Sequence, residues 1–424
     1  TNGGNILMVQ IENEYGSYGN DKRYLELLRS EWKRLGVNVP FYTADGATPY
    51  MLEAGNIDGA VIGLDSGSNE KDFEQAYNRN PKVPAFSSES YPGWLTHWGE
   101  KWAKPDPKEI LGELEYLMSK RRSFCLYVAH GGTNFGFWAG ANAGKPTDYQ
   151  PDVTSYDYDA PIDEQGRATE KFFKIRELIA RHTGGKLPEV PAPVPTIDLP
   201  KFELKRAGGL FDLKLPERNV VQPVPMESLG QYTGLISYKT KLIGHKSGKL
   251  KIWEPHDFAL VYLNGKLIKS VYRDGGDWTV ELPKTDSAMP ELEIVVEAMG
   301  RINYGQFMID RKGITDRVTL NNMTLMNWQV TRYPMDESFV ARSLRSMSGG
   351  SDRARGLNFY RASFDLDNTG DAFIDTAGWK KGVVYVNGHN LGRYWDIGPQ
   401  TKLYCPASWL KKGRNEVIVF DLLP

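Results

Sequence analysis

Short apolar runs alternate with amphipathic stretches through the first 185 residues. Residues 6–11 read as a strand. Residues 21–35 repeat their apolar positions at helical spacing, with Gly36 placed to cap the end. The pattern then predicts a strand at 39–44, a short helix at 48–54, a strand at 60–64 and a helix at 70–78. A strand at 83–88, a helix at 107–121, a strand at 124–129 and a helix at 168–182 follow. Five strand-then-helix units in series predict parallel strands with helical crossovers. An open doubly wound sheet can hold five units. A (β/α)8 barrel needs three more, and the opening Thr1-Asn2-Gly3-Gly4 directly before a strand fits a barrel entered at its fourth strand.

The pattern changes after residue 185. Residues 186–200 carry five prolines from Pro188 to Pro200 and read as a stiff linker. Short alternating strands with Gly, Asn and Asp turns come next, as in β-sandwiches. This region repeats itself. Val261-Tyr262-Leu263-Asn264-Gly265 matches Val384-Tyr385-Val386-Asn387-Gly388, Tyr238 matches Tyr360, and Ile294-Val295-Val296 matches Val417-Ile418-Val419, all at offsets of 122 or 123 residues. One offset for three landmarks predicts two copies of one sandwich, at 201–315 and 316–424. Each Asn-Gly pair predicts a type I′ hairpin turn, where both central residues need positive φ.

Composition narrows the class. A chain of 424 residues exceeds one ordinary domain. Its net charge of −1 argues against nucleic acid or an anionic membrane as main partner. No apolar run approaches a membrane span, and no signal peptide is visible. The 11 Trp and 22 Tyr suit stacking on sugar rings as well as core packing. Cys125 and Cys405 stand far apart and read as buried free thiols, which leaves the redox compartment open. The histidines lack metal-ligand spacing, and the Gly131–Gly136 stretch lacks the helix that a dinucleotide site needs, so neither metal nor cofactor is expected. Oligomeric state is open. The compartment is also open, leaning to periplasmic or secreted.

Chemistry is expected where parallel strands end. Glu12 and Glu14 end the first strand and, two apart, should face the same way. Glu89 ends the fourth, 75 residues after Glu14. Two carboxylates about 5–5.5 Å apart suit retaining glycoside hydrolysis, one ionised as nucleophile and one protonated as acid. Asn13 is placed to hold a sugar 2-hydroxyl. Trp94, Trp98 and Trp138 are candidate pocket walls, with core packing the competing role. His97 and His130 read as loop-fixing residues.

Four motifs carry a resemblance. Gln10-Ile11-Glu12-Asn13-Glu14-Tyr15-Gly16-Ser17-Tyr18 resembles the acid/base motif of family 35 glycoside hydrolases, the β-galactosidases. Ser88-Glu89-Ser90-Tyr91-Pro92-Gly93-Trp94 resembles their nucleophile motif. His130-Gly131-Gly132-Thr133-Asn134-Phe135-Gly136 and Thr154-Ser155-Tyr156-Asp157-Tyr158-Asp159-Ala160-Pro161 resemble two more. The resemblance covers essentially the whole chain. It implies Glu14 as general acid/base, Glu89 as nucleophile, and Asn13, Tyr91 and Tyr158 as galactose contacts. It also implies that residues 1–185 are strands four to eight of a TIM barrel, followed by two galactose-binding-like jelly rolls. The earlier strands, which carry further sugar contacts in that family, have no counterpart here. Two other functions stay open: the same retaining machinery on another β-glycoside such as a glucosaminide, and a non-catalytic carbohydrate-binding protein.

Overall fold

The computed structural model describes residues 4–145, 147–185, 187–347 and 355–423. Thr1-Asn2-Gly3 and Lys186, on which the barrel-entry and linker readings partly rest, lie outside them. The chain forms two compact units. One comprises residues up to Leu95, Ala103–Gly132 and Asp157–Pro193; the other comprises Thr96–Trp102, Thr133–Tyr156 and the chain from Val194 onward. Two segments expected within the first 185 residues thus pack with the sandwich strands.

The first unit is built on a five-stranded parallel sheet in sequence order. Its strands are β1 (Val9–Gln10), β2 (Phe41–Gly46), β3 (Val61–Asp65), β4 (Ala85–Ser90) and β5 (Phe124–Leu126). The helices are α1 (Lys22–Arg34), α2 (Pro49–Gly55), α3 (Glu70–Arg79), α4 (Pro107–Ser119) and α5 (Glu170–Thr183). Each starts at a side-chain cap: Asp21, Thr48, Asn69, Asp106 and Thr169 accept hydrogen bonds from first-turn N–H groups. The apolar faces of α2 to α5 meet β3 in one core of Leu52, Ile62, Leu64, Phe73, Leu114 and Ile175.

Two expected strands are shorter than their apolar runs. Only Val9 and Gln10 pair with β2, and Ile6 and Leu7 are exposed. The chain turns away at Glu12, whose φ is +59°. The fifth strand stops at Leu126 rather than 129. Cys125, expected to be buried, is exposed because β5 is an edge strand among the described residues; Cys405 is buried, and both are free.

The second unit contains the repeated sandwiches. In the first, strands run in the order Leu235–Lys241, Glu291–Glu297, Phe258–Leu263, Lys266–Tyr272. In the second, Asn358–Leu366, Gly413–Asp421, Lys381–Val386 and His389–Trp395 follow the same order. Both hairpins turn on the expected Asn-Gly pairs, with φ +50° and +77° at Asn264 and Gly265, and +50° and +87° at Asn387 and Gly388. Both also carry a bulge at the matching position, after Val261 and after Val384. Trp328–Tyr333 pairs with Leu235–Lys241, so the first sheet draws a strand from beyond residue 315. The proline-rich segment is irregular, yet it is not a free spacer. Thr196 bridges to Asp371, and Ile197 and Leu199 pack on the second sandwich core.

A fully buried ion cluster ties the second unit together. Lys312 Nζ donates to Asp257 Oδ2 at 2.7 Å and to the Gly300 carbonyl at 2.7 Å, and lies 2.8 Å from Asp310 Oδ2. Arg273 donates to both aspartates from its other side. The Tyr149 ring lies under Arg273 and also packs in the shared hydrophobic core, which brings the 133–156 segment onto the sandwich. Two buried carboxylates are tolerable here because two cations and backbone groups satisfy them. Replacing Lys312 by Met removes a cation that both acids share and leaves them Arg273, with His256 3.5 Å from Asp310. It should cost about 3–5 kcal/mol, read from denaturant unfolding of the variant; an unchanged midpoint would contradict the role given to this cluster.

Candidate active site

All five parallel strands end on one side of their sheet, and acids gather there. Asp45 is the fifth residue of β2, Asp65 closes β3, Glu89 is the fifth residue of β4, and Glu14 follows β1. One carboxylate oxygen from each of Glu14, Asp65 and Glu89 lies within 4.8 Å of the others. No histidine or cysteine joins this group among the described residues.

Glu14 is held by its backbone. Its N–H donates to the Ala44 carbonyl at 2.8 Å, and its φ of +53° places it in the left-handed region. The next turn is fixed from β2, where Asp45 Oδ1 accepts from the Gly16 N–H at 2.9 Å. A Cβ on Gly16 would meet the Met51 carbonyl at 2.1 Å, so only glycine allows this approach. Asp45 is 1% exposed, and burial lifts its carboxyl to about 6 despite the Gly16 bond.

Glu12 and Glu14 do not share a face, contrary to the strand-alternation expectation. Positive φ at both residues replaces the strand by a tight turn. Glu12 accepts from Tyr18 and Tyr24 hydroxyls at 3.0 and 3.1 Å, and from the Asn13 N–H at 2.7 Å. Its carboxylate is committed to holding the turn. Asn13 is exposed and linked to the acid beside it through a directed chain. Tyr42 donates to Gln10 at 2.8 Å, Gln10 donates to Asn13 Oδ1 at 2.7 Å, and Asn13 Nδ2 donates to Glu14 Oε1 at 3.4 Å.

Glu89 is 8% exposed. Burial pushes its carboxyl above the ordinary glutamate range, Asp65 pushes the same way, and a hydrogen bond from Tyr91 at 3.0 Å pulls it back. The same Tyr91 hydroxyl lies against Asp65 Oδ1, so its one proton is shared between the two acids. Aromatic rings border the acids. Tyr91 lies 5.4 Å from Trp94 and 6.1 Å from Tyr127, and Tyr158 lies 5.9 Å from Tyr127 and 6.2 Å from Trp94, centroid to centroid. Tyr158 is buried with φ +62°, and Trp94 is half exposed.

The loops that carry Tyr91 and Tyr158 are fastened together. Lys171 Nζ, buried on α5, donates to the Pro92 carbonyl and to the backbone and carboxylate of Asp159. A Cβ on Gly93 would stand 1.5 Å from the Tyr158 carbonyl. The structure thus brings Asn13, Glu14, Glu89, Tyr91, Tyr158 and Trp94 into one unit. Trp98 instead packs in the core against Trp395, at 6.4 Å. Trp138 is 87% exposed. His97 is buried between Glu100 and Asn142, at 3.0 and 2.8 Å, as expected of a loop-fixing residue. His130 is exposed, with its backbone bridged to Ile162. Asp65 and Tyr127 went unnoticed in the sequence. The signal was present for Asp65: the apolar run Ala60-Val61-Ile62-Gly63-Leu64 ends in an acid, as the runs before Glu12 and Glu89 do.

Residues 1–182 match the family model described as glycosyl hydrolases family 35. Residues 223–336 match "Beta-galactosidase, first all-beta domain", and residues 357–415 match "Beta-galactosidase, galactose-binding domain". Beta-galactosidase 17 of Arabidopsis thaliana is 36% identical over all of this chain and 67% of its own length. A beta-galactosidase of Xanthomonas manihotis is 38% identical over 96% of this chain and 68% of its own. Among solved structures, a GH2 beta-galacturonidase from Eisenbergiella tayi aligns over 54% of this chain and 37% of its own, at 11% identity and a TM-score of 0.19, a likeness too slight to carry weight.

Replacing Gly93 by Ala should separate the two loops and cost about 1–3 kcal/mol, with turnover falling as Tyr91 and Tyr158 move apart. Thermal unfolding and steady-state rates together check this; a variant with unaltered stability would mean that the contact is not close.

Proposed function

The chain belongs to glycosyl hydrolases family 35, and on that premise we propose that it is a retaining, exo-acting β-galactosidase that releases terminal non-reducing β-D-galactosyl residues. The observation that carries this reading is the convergence of Glu14 and Glu89 to within 4.8 Å. Close approach of one oxygen from each suits a nucleophile and an acid on one bond, since retaining pairs stand nearer, about 5–5.5 Å between carboxyls, than inverting pairs, about 6.5–9.5 Å.

Glu89 attacks the anomeric carbon as Glu14 gives its proton to the departing oxygen. The glycosidic bond breaks, and an acylal ester joins galactose to Glu89. Glu14, now a carboxylate, takes a proton from water as that water attacks the same carbon from the opposite side. Two inversions return the β-anomer, and Glu89 leaves as a carboxylate. Asn13 holds the 2-hydroxyl, with its amide oriented by Gln10. Tyr91 and Tyr158 contact the sugar, and half-exposed Trp94 offers a flat apolar face to it.

In this reading β1 to β5 are strands four to eight of a TIM barrel, and the two sandwiches are galactose-binding-like jelly rolls. The proposed division is a catalytic domain at 1–185, the proline-rich segment at 186–200, and the sandwiches beyond, with the strand at Trp328–Tyr333 counted in the first. No helix among the described residues is long and apolar enough to cross a membrane. The substrate is a galactoside, and no cofactor or metal is required by the steps above.

Glu89→Gly should lose nearly all turnover, about 10³-fold or more, and exogenous azide should restore an α-galactosyl azide. Full activity in that variant would sink the assignment. Glu14→Ala tests the other role: the basic limb of its pH–rate profile should flatten. A basic limb unchanged from the parent enzyme means that Glu14 is not the acid. The acidic limb of kcat/KM in the parent should lie above the ordinary glutamate range, because Glu89 must be ionised to attack and burial resists that. A panel of aryl β-glycosides separates galactose from glucosamine and other sugars.

A further inference from the structure

Asp65 is a third carboxylate at the site, and the double displacement gives it no task. It faces Glu89 across the Tyr91 hydroxyl, which lies against Asp65 Oδ1 and, at 3.0 Å, Glu89 Oε2. A phenol has one proton and can satisfy one of two carboxylates at a time. Both contacts are filled only when a second proton sits on one of the acids. Asp65, Tyr91 and Glu89 therefore form a linked set, with its proton count tied to the charge state of Glu89.

We propose that Asp65 is a positioning residue for the reaction: it holds the Tyr91 hydroxyl against Glu89 and sets a second negative charge beside the nucleophile. The proposal rests on Glu89 being that nucleophile. The groups around Glu89 are Glu14 from the turn after β1, Tyr42 from β2, Asp65 from β3, Tyr91 from its own loop and Tyr158 from the loop before α5, with Tyr127 beyond it. None of these six residues is a cation. The negative charge of Asp65 thus resists ionisation of Glu89, in the same direction as burial. That resistance has a use. It favours the neutral ester over the free carboxylate, and it favours the positive charge that builds on the sugar ring at the transition state.

The test is the pH dependence of kcat/KM for Asp65→Asn and Tyr91→Phe on one aryl β-galactoside. The carboxamide of Asp65→Asn keeps an acceptor for Tyr91 and removes the charge. Its acidic limb should move to lower pH by about one unit, since Glu89 then ionises more easily. Tyr91→Phe removes the hydrogen bond that favours the Glu89 carboxylate, so its limb should move to higher pH. A purely structural role would lower the rate at every pH and leave both limbs in place. An unmoved limb in folded Asp65→Asn overturns the proposal. Should Asp65→Asn fail to fold, Asp65→Ser, which also removes the charge and keeps a hydroxyl acceptor, decides, and a limb that stays or moves up overturns it. Failure of azide to rescue Glu89→Gly would be a different outcome, which removes the nucleophile assignment itself.

Discussion

Like charges crowded at the ends of parallel strands set the terms for the first unit. One oxygen from each of Glu14, Asp65 and Glu89 lies within 4.8 Å of the others, and burial and Asp65 both weigh against the charge on Glu89. In water such a group would separate. Here each acid is fixed by a different strand end, so it cannot retreat. The sheet core of Ile62, Leu64 and Phe73 beneath β3 and α3 makes that fixation rigid. The Tyr91 hydroxyl lies between two of the acids, and its single proton relieves the repulsion by bonding to one of them at a time. The cost of crowding appears as a Glu89 carboxyl that is harder to ionise.

The supporting shell works by denying alternatives to the loops. Two glycines allow backbone approaches that a methyl group would block, at Gly16 against Met51 and at Gly93 against Tyr158. Asp45 gives up much of its hydration to hold Gly16, and Lys171 spends its charge on the Pro92 and Asp159 loops. Positive φ at Glu12, Glu14, Tyr158 and Asp159 is conformational strain held by these contacts. Such strain is common where geometry serves chemistry rather than stability.

Much of this was legible in the sequence. The five strand-helix units and the duplicated sandwich followed from periodicity and one repeated offset. Each Asn-Gly turn was read from its φ requirement alone. The acid-ending strand rule picks out Glu89 and the Glu12-Asn13-Glu14 turn, and it extends to Asp65, which follows the apolar run ending at Leu64. Alternation misled at Glu12 and Glu14, since a left-handed residue breaks the two-residue period and the local sequence does not announce it. Trp98 and Trp138 had the same motif context as Trp94. Their burial in a core, or their exposure, depends on tertiary packing that neighbouring residues do not encode. The grouping of 96–102 and 133–156 with the sandwich strands was hidden for the same reason. It depends on Trp98 and Tyr149 entering a core assembled largely from residues Leu210 onward.

The central claim is that Glu89, and neither of the acids beside it, forms the bond to the sugar. Trapping with a 2-deoxy-2-fluoro-β-galactosyl fluoride, followed by peptide mapping of the labelled protein by mass spectrometry, tests it most directly. A 2-deoxy-2-fluorogalactosyl adduct on Glu89 is the predicted result. An adduct on Asp65 or Glu14, or turnover of galactosides with no adduct formed, would contradict it.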